Sequence, residues 1–197
     1  MSSPSLLGRR VLLRRLEVSD FGMWREVRRR NVNWLTKWEP SRPVGAPDVY
    51  EDRNAFRLRC QAREREWQGG TGFGFGIFVD GYLSGEINLN SVQRGPFQSA
   101  YVGYWMDEAA AGNSYVPEAL VVLARYAFDE LRLHRLQISI VPRNGPSRRV
   151  VEKLGLRSEG IAERYLEING VWEDHIRYAI TSEEWSLRRD ELAALWL

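Results

Sequence analysis

The sequence predicts a mixed α/β fold of the α+β kind, built as one domain over residues 1–197. Three observations carry that prediction. From Gly72 to Met106 the residues alternate with period two between turn signals, the pattern of an antiparallel meander. From Ser114 to Leu131 apolar residues fall at 116, 119, 120, 123, 124, 127 and 131, one stripe of a helix. A β-rich run and a second helix follow, so a strand–helix–strand–helix unit sits at the centre of the chain.

The elements follow in order. Val11-Leu12-Leu13 reads as a short strand. Ser19-Asp20 offers an N-cap, and Phe21, Trp24 and Val27 recur at helical spacing. Trp34 to Pro40 reads as a short helix closed by proline, Ser41 to Pro47 as a loop, and Asp48 to Trp67 as a charged helix ended by Gly69-Gly70. Within the meander the strands are Gly72–Val79, Tyr82–Asn90 and Ser99–Met106, joined by Asp80-Gly81 and by Gln93 to Pro96. Beyond the long helix come a strand at Arg135–Val141 and a helix at Asn144–Leu154 stopped by Gly155. A hairpin, Ile161–Ile168 and Val171–Ile180, then turns on Asn169-Gly170, and a helix covers Glu183–Leu197.

Composition bounds the chemistry. At 197 residues, 44% hydrophobic and 27% charged, the chain can bury its own core. Cys60 is the only cysteine, which excludes an internal disulfide and a CxxC zinc pattern. Met1 to Gly8 lacks the apolar core of a signal peptide, and no apolar run approaches the ~20 residues of a membrane span. A cytoplasmic setting is expected. The net charge of +2 divides unevenly: residues 1–70 hold 15 Lys+Arg against 9 Asp+Glu, and residues 71–197 hold 13 against 17. The basic third reads as a solvated arginine-rich surface, or as one that steers toward phosphates. No GxxxxGK[ST] occurs, the glycines from Gly69 to Gly76 do not match GxGxxG, and Arg25, Arg28, Arg29 and Arg30 lack a helix-turn-helix turn. No histidine has a metal-ligand companion, so no metal and no specific nucleic acid are expected.

Two segments carry candidate chemistry. Between the strand ending at Met106 and the helix beginning near Val116 lies a small-residue loop, Asp107 to Ser114. Unpaired N–H groups and the positive dipole end of a helix favour an anion there. The second is Asn144-Gly145-Pro146-Ser147, with Asn144 as helix N-cap and Pro146 in the first turn.

Together these segments resemble the GNAT N-acetyltransferase superfamily, in its RimJ/RimL branch. Matching residues run along nearly the whole chain: Leu13-Arg14 and Asp20; Leu35, Trp38, Glu39 and Pro40; Arg94-Gly95, Phe97, Ala100 and Gly103-Tyr104-Trp105; Glu118-Ala119; Asn144, Ser147, Leu154-Gly155 and Glu159-Gly160; and Asn169-Gly170 with Trp172, Asp174 and His175. The resemblance implies a mostly antiparallel sheet splayed between two central strands, with helices on both faces. It implies acetyl-CoA as co-substrate. Trp105 and Met106 would bind the pantetheine arm through their backbones. The amides of Ala111, Gly112, Asn113, Ser114, Tyr115 and Val116 would cradle the pyrophosphate, with Asn144 and Ser147 beside the cofactor. An amine would attack the acetyl carbonyl directly, a backbone N–H near Met106 would stabilise the oxyanion, and Ser147 would protonate the thiolate. The family's phosphate loop reads Gln/Arg-x-x-Gly-x-Gly/Ala; here Ala111, Ser114 and Val116 stand at the consensus places.

The resemblance does not supply a base. Glu86 on the second meander strand is one candidate, with an outward surface carboxylate as its other reading; the tyrosine many relatives carry after the Asn motif is Val151 here. His175 beside Asp174 is another candidate, as a base with its orienter, although adjacent strand residues point to opposite faces and need not touch. Trp34, Trp38, Tyr104 and His175 are the candidate acceptor-lining residues. The branch implies a protein N-terminus as acceptor, such as that of a ribosomal protein, and leaves a homodimer open. The rival readings are a small-amine acetyltransferase, which needs an acidic groove, and a CoA-binding regulator without activity.

Overall fold

The structure, a computed structural model, describes residues 4–41, 45 and 50–197. Most of the loop expected over 41–47, the helix start expected at Asp48 and the first three residues lie outside that range.

Hydrophobic alternation and helix stripes resolve into eight strands and six helices among the described residues. The N-terminal part holds Leu6–Leu7 (β1), Val11–Arg14 (β2), Phe21–Arg30 (α1), Val32–Leu35 (α2) and Arg53–Gln68 (α3), with a 3-10 turn at Thr36–Trp38. The meander is Phe73–Val79 (β3), Tyr82–Gln93 (β4) and Ser99–Met106 (β5). Tyr115–Arg125 (α4), Arg135–Ile140 (β6) and Gly145–Lys153 (α5) form the central unit. Arg157–Ile168 (β7), Val171–Thr181 (β8) and Ser182–Trp196 (α6) close the chain. No helix among the described residues is long and apolar enough to cross a membrane.

The strands make one sheet in the order β1-β2-β3-β4-β5-β6-β8-β7. Every neighbouring pair is antiparallel except β5 and β6. That parallel pair is joined only at Ser99–Arg135, Ala100–Leu136 and Tyr101–Gln137. From Val102 and Ile138 onward the two strands diverge. The expected sheet, splayed between its two central strands, is the sheet observed.

Strand alternation divides the core between the two faces. On one face Leu13, Phe75, Ile77 and Ile87 pack with Leu120 and Leu123 of α4 and with Trp185 and Leu192 of α6. On the other, Leu16, Phe78 and Leu83 pack with Trp24 of α1 and Phe56 of α3. Each such side chain contributes about 1.5–3 kcal/mol of burial, so the helices are held on both faces by apolar contact.

Three boundaries differ from the sequence reading, and one short strand was not expected. The charged helix expected over Asp48–Trp67 begins at Arg53, with Asp52 as its N-cap. The long helix is α-helical only to Arg125; a π-helical turn, Tyr126–Glu130, follows, with the Leu131 N–H donating to the Tyr126 carbonyl. β7 begins at Arg157 rather than Ile161, because Gly160 and Arg164 take positive φ and two register shifts break the period-two pattern. β1 is too short to leave any periodicity.

Candidate functional site

The splay leaves one edge of β5 open. The Asp107 N–H donates to the Ser84 carbonyl at 2.8 Å, and the Trp105 carbonyl faces Gly85, also on β4. A Cβ at Gly85 would collide with that carbonyl, so this position requires glycine. Backbone groups alternate along a strand, so those of Tyr104 and Met106 point the other way, into the splay. The open groups expected from Trp105 and Met106 thus come from Met106 and Tyr104, while Trp105 turns toward β4. Trp34 of α2 occupies part of this edge: its indole Nε1 donates to the Met106 carbonyl at 3.1 Å.

After β5 the chain forms a 3-10 turn, Glu108–Ala110, and reaches α4 through Ala111 to Ser114. Ala110 and Ala111 donate their N–H groups to the Asp107 and Glu108 carbonyls. The N–H groups of Gly112, Asn113, Ser114, Tyr115 and Val116 have no acceptor among the described residues. They gather at the N-terminus of α4, whose first helical bond runs from Glu118 to the Ser114 carbonyl at 3.3 Å. Ser114 sits at φ 63°, ψ 20°, a left-handed conformation that glycine adopts without strain. The serine therefore keeps the glycine-like path of the backbone at some cost, and its side chain does not cap the helix. Its Oγ instead accepts from Lys153 Nζ at 2.7 Å.

The start of α5 is built differently. Asn144 Oδ1 accepts from the Ser147 N–H at 3.2 Å, so Asn144 is the N-cap of α5. Ser147 Oγ lies 2.9 Å from the Tyr104 hydroxyl and donates to it, and that hydroxyl donates to the Ser147 carbonyl at 3.1 Å. Burial drives the Tyr104 phenol well above its ordinary range, against the lowering effect of the Ser147 bond, so it stays protonated. Tyr104 thus packs on the α4–α5 face and holds Ser147. It does not line the acceptor side, which corrects the sequence expectation.

Two other expectations need correction. Glu86 is not an outward carboxylate; it is 3% exposed. Trp24 Nε1 donates to its Oε1 at 2.7 Å and Arg59 Nη2 to its Oε2 at 2.5 Å. Burial alone would raise its carboxyl, but the Arg59 charge and the two donors outweigh burial and hold it below the usual range. Both oxygens are committed, which makes it a poor proton acceptor. His175 is 2% exposed, with Nδ1 against the Glu173 carbonyl at 2.9 Å and its ring edge-on to Tyr165. It lines no open groove. Asp174 turns instead to the Arg164 N–H, so the two neighbours do not meet.

Trp38 is half-buried beside the turn that follows β6. Arg143 stacks over its ring at 4.9 Å and pairs with Glu173. Beside this pair, just past the end of β6, a groove of about 380 Å³ is lined by Val141, Pro142, Arg143, Arg164, Trp172, Glu173 and Asp174. The tip of the β7–β8 hairpin reaches across to the Trp38 segment: the Asn169 N–H donates to the Glu39 carbonyl at 2.8 Å, and the Ser41 N–H lies 3.3 Å from the Glu167 carboxylate.

Several positioning residues carry no sequence signal. Asn31, 1% exposed, donates to Asp107 Oδ1 at 2.7 Å and accepts from the Glu108 N–H at 2.9 Å. Arg30 also pairs with Asp107. The end of α1 thereby fixes the start of the loop. Arg28 forms a two-pronged bond with Glu39, both at 2.7 Å, and lies over the Trp105 ring. Arg25 and Arg29 pair with Glu51. The basic cluster of α1 is therefore largely spent on internal carboxylates.

Comparison with known proteins bears on this arrangement. The family model described as "Acetyltransferase (GNAT) domain" matches residues 10–157. The "Probable N-acetyltransferase YjcK" of Bacillus subtilis (strain 168) is 35% identical over 181 residues, which cover 91% of this chain and 98% of that protein. The ribosomal protein uS5-alanine N-acetyltransferase of Escherichia coli (strain K12) is 30% identical over 177 residues, covering 86% and 87%. Among solved structures, Mycobacterium smegmatis RimJ in complex with CoA-disulfide superposes with a TM-score of 0.86 at 30% identity, covering 93% of this chain and 91% of that one.

Proposed function

The chain belongs to the GNAT acetyltransferase family, and from that premise we propose that it acetylates the N-terminal α-amine of a protein, with a ribosomal protein as the acceptor class. It is an N-acetyltransferase, and its donor is acetyl-CoA. The observation that carries the acceptor reading is the bridge between the β7–β8 tip and the Trp38 segment. A bridged entrance suits a slender group, such as the extended end of a chain. The uS5-alanine N-acetyltransferase of E. coli supports the same reading. A cytoplasmic setting goes with it.

The residues fit the donor. Five unpaired amides at the start of α4 suit a pyrophosphate, and the open backbone edge of Tyr104 and Met106 suits an amide-bearing arm laid in the splay. Acetyl-CoA supplies the activated acyl group as a thioester. The chain's own part is to orient, to stabilise charge and to move protons. The Met106 N–H, directed into the splay, is placed to donate to an oxygen gaining negative charge. Ser147 is the proton source for the leaving sulfur: its Oγ–H turns from the Tyr104 oxygen to the thiolate, and the proton that the acylated amine gives up to water restores the hydroxyl. An α-amine has an ordinary pKa of about 8, so a useful fraction arrives neutral at pH 7. Glu86 serves to lock Trp24 and Arg59 in place rather than to take that proton.

The small-amine reading calls for an acidic groove. The groove beside Trp38 instead balances Arg143 and Arg164 against Glu173 and Asp174. The intact Tyr104–Ser147 pair weighs against an inactive regulator. The test is to incubate the protein with acetyl-CoA and a panel of N-terminal peptides and small amines, and to follow thiol release. Turnover with alanine- or serine-initiated peptides is expected. Turnover confined to small amines would overturn the protein-acceptor reading, and CoA binding without turnover would favour the regulator.

A further inference from the structure

The charge around the start of α4 has the wrong sign for a polyphosphate. Residues 107–116 bring Asp107 and Glu108 and no cation of their own. Asp107 is taken by Arg30, while Glu108 stays exposed. Arg10 touches the loop, donating from Nη1 to the Asn113 carbonyl at 3.1 Å, but its Nε pairs with buried Glu118 at 2.9 Å. Its charge is already answered.

Lys153 is different. It reaches the loop from the last turn of α5 and donates to the neutral Ser114 hydroxyl at 2.7 Å. Among the described residues no carboxylate pairs with it. Arg149, one turn earlier on the same helix face, also lacks a carboxylate partner among the described residues. An unanswered cation thus rests on the residue at the middle of the row of open amides. α5 itself spans the site: Ser147 contacts Tyr104 of β5 at one end, and Lys153 contacts Ser114 at the other, six residues or about 9 Å along the axis.

We propose that Lys153 is a ligand of the CoA pyrophosphate, exchanging the Ser114 hydroxyl for a phosphate oxygen when the co-substrate binds. This rests on reading the Gly112–Val116 amides as the pyrophosphate cradle. The exchange replaces a bond to a neutral acceptor with one in which both partners are charged. It also places on α5 the positive charge that the loop, with Ala111 at its first consensus place, does not carry.

The test is calorimetric titration of CoA, dephospho-CoA and pantetheine into the wild type, Lys153→Ala and Lys153→Arg. Lys153 is exposed, so these variants keep the fold. Lys153→Ala is expected to weaken CoA and dephospho-CoA alike by about tenfold and to leave pantetheine unchanged, while Lys153→Arg stays close to wild type. Unchanged CoA binding in Lys153→Ala would overturn the proposal. So would a loss confined to CoA, which would move the lysine to the 3′-phosphate. A wild type that binds CoA no more tightly than pantetheine would instead overturn the cradle itself, and the role of Lys153 with it.

Discussion

The two helices that border the splay begin in opposite ways. α5 starts on Asn144, whose side chain accepts from the Ser147 N–H, so its own cap satisfies part of its N-terminus. α4 starts on Ser114 in a left-handed conformation, with no side-chain cap and a run of amides facing no protein acceptor. Gly112 and Asn113 are exposed and Ser114 and Tyr115 half-buried, so these amides are left to solvent or to a bound acceptor. The comparison teaches that sequence consensus and physical openness are separate properties. The segment with family-like letters is closed on itself. The segment that departs from the consensus at three places is the one left open for an anion.

The largest expected effect falls at the closed end. Ser147→Ala should lower kcat by about 100-fold while the KM for acetyl-CoA moves by no more than about twofold, as steady-state kinetics would read. A matched fall in affinity would mean that Ser147 contributes binding, and the contrast with α4 would blur. Asn144→Ala should cost about 1 kcal/mol of stability in denaturant unfolding and loosen CoA several-fold, whereas Asn144→Asp should keep the cap. Ser114→Gly runs the other way. Relief of the left-handed strain should stabilise the protein by about 0.5–1 kcal/mol, with CoA affinity held within about threefold because the amides remain.

The smallest effect is one of pH. Burial pushes the Asp107 carboxyl up, but the bonds from Arg30, Asn31 and the Ala109 N–H outweigh it and hold it below its ordinary 3.8. The folded pKa is thus the lower one. The stabilisation is full above the unfolded value and is lost as pH falls through the folded value. Acid unfolding should therefore steepen below about pH 4, and Asp107→Asn should flatten that part of the curve.

Much of the fold was legible because it is local. The Ser99–Met106 strand, the Asn144 cap and the Asn169-Gly170 turn follow from alternation, cap chemistry and turn chemistry within a few residues. The kinked start of β7 was not, because Gly160 and Arg164 interrupt the period that signals a strand. The site was legible mainly in its backbone. The state of Glu86 depends on Trp24 and Arg59, and that of Asp107 on Arg30 and Asn31; those partners lie between 27 and 77 residues away. Only folding brings such groups together. Tyr104 misled for a simpler reason: its strand parity puts it on the α5 face, and parity can be read only once the neighbouring strands are known.

Hydrogen exchange of the backbone amides, measured with and without CoA, tests the contrast between the two helix starts most directly. The account predicts that CoA slows exchange at Gly112 through Val116, which gain acceptors, and changes little at Ser147, whose N–H is already bonded to Asn144. Unchanged exchange across Gly112–Val116 under saturating CoA would contradict it.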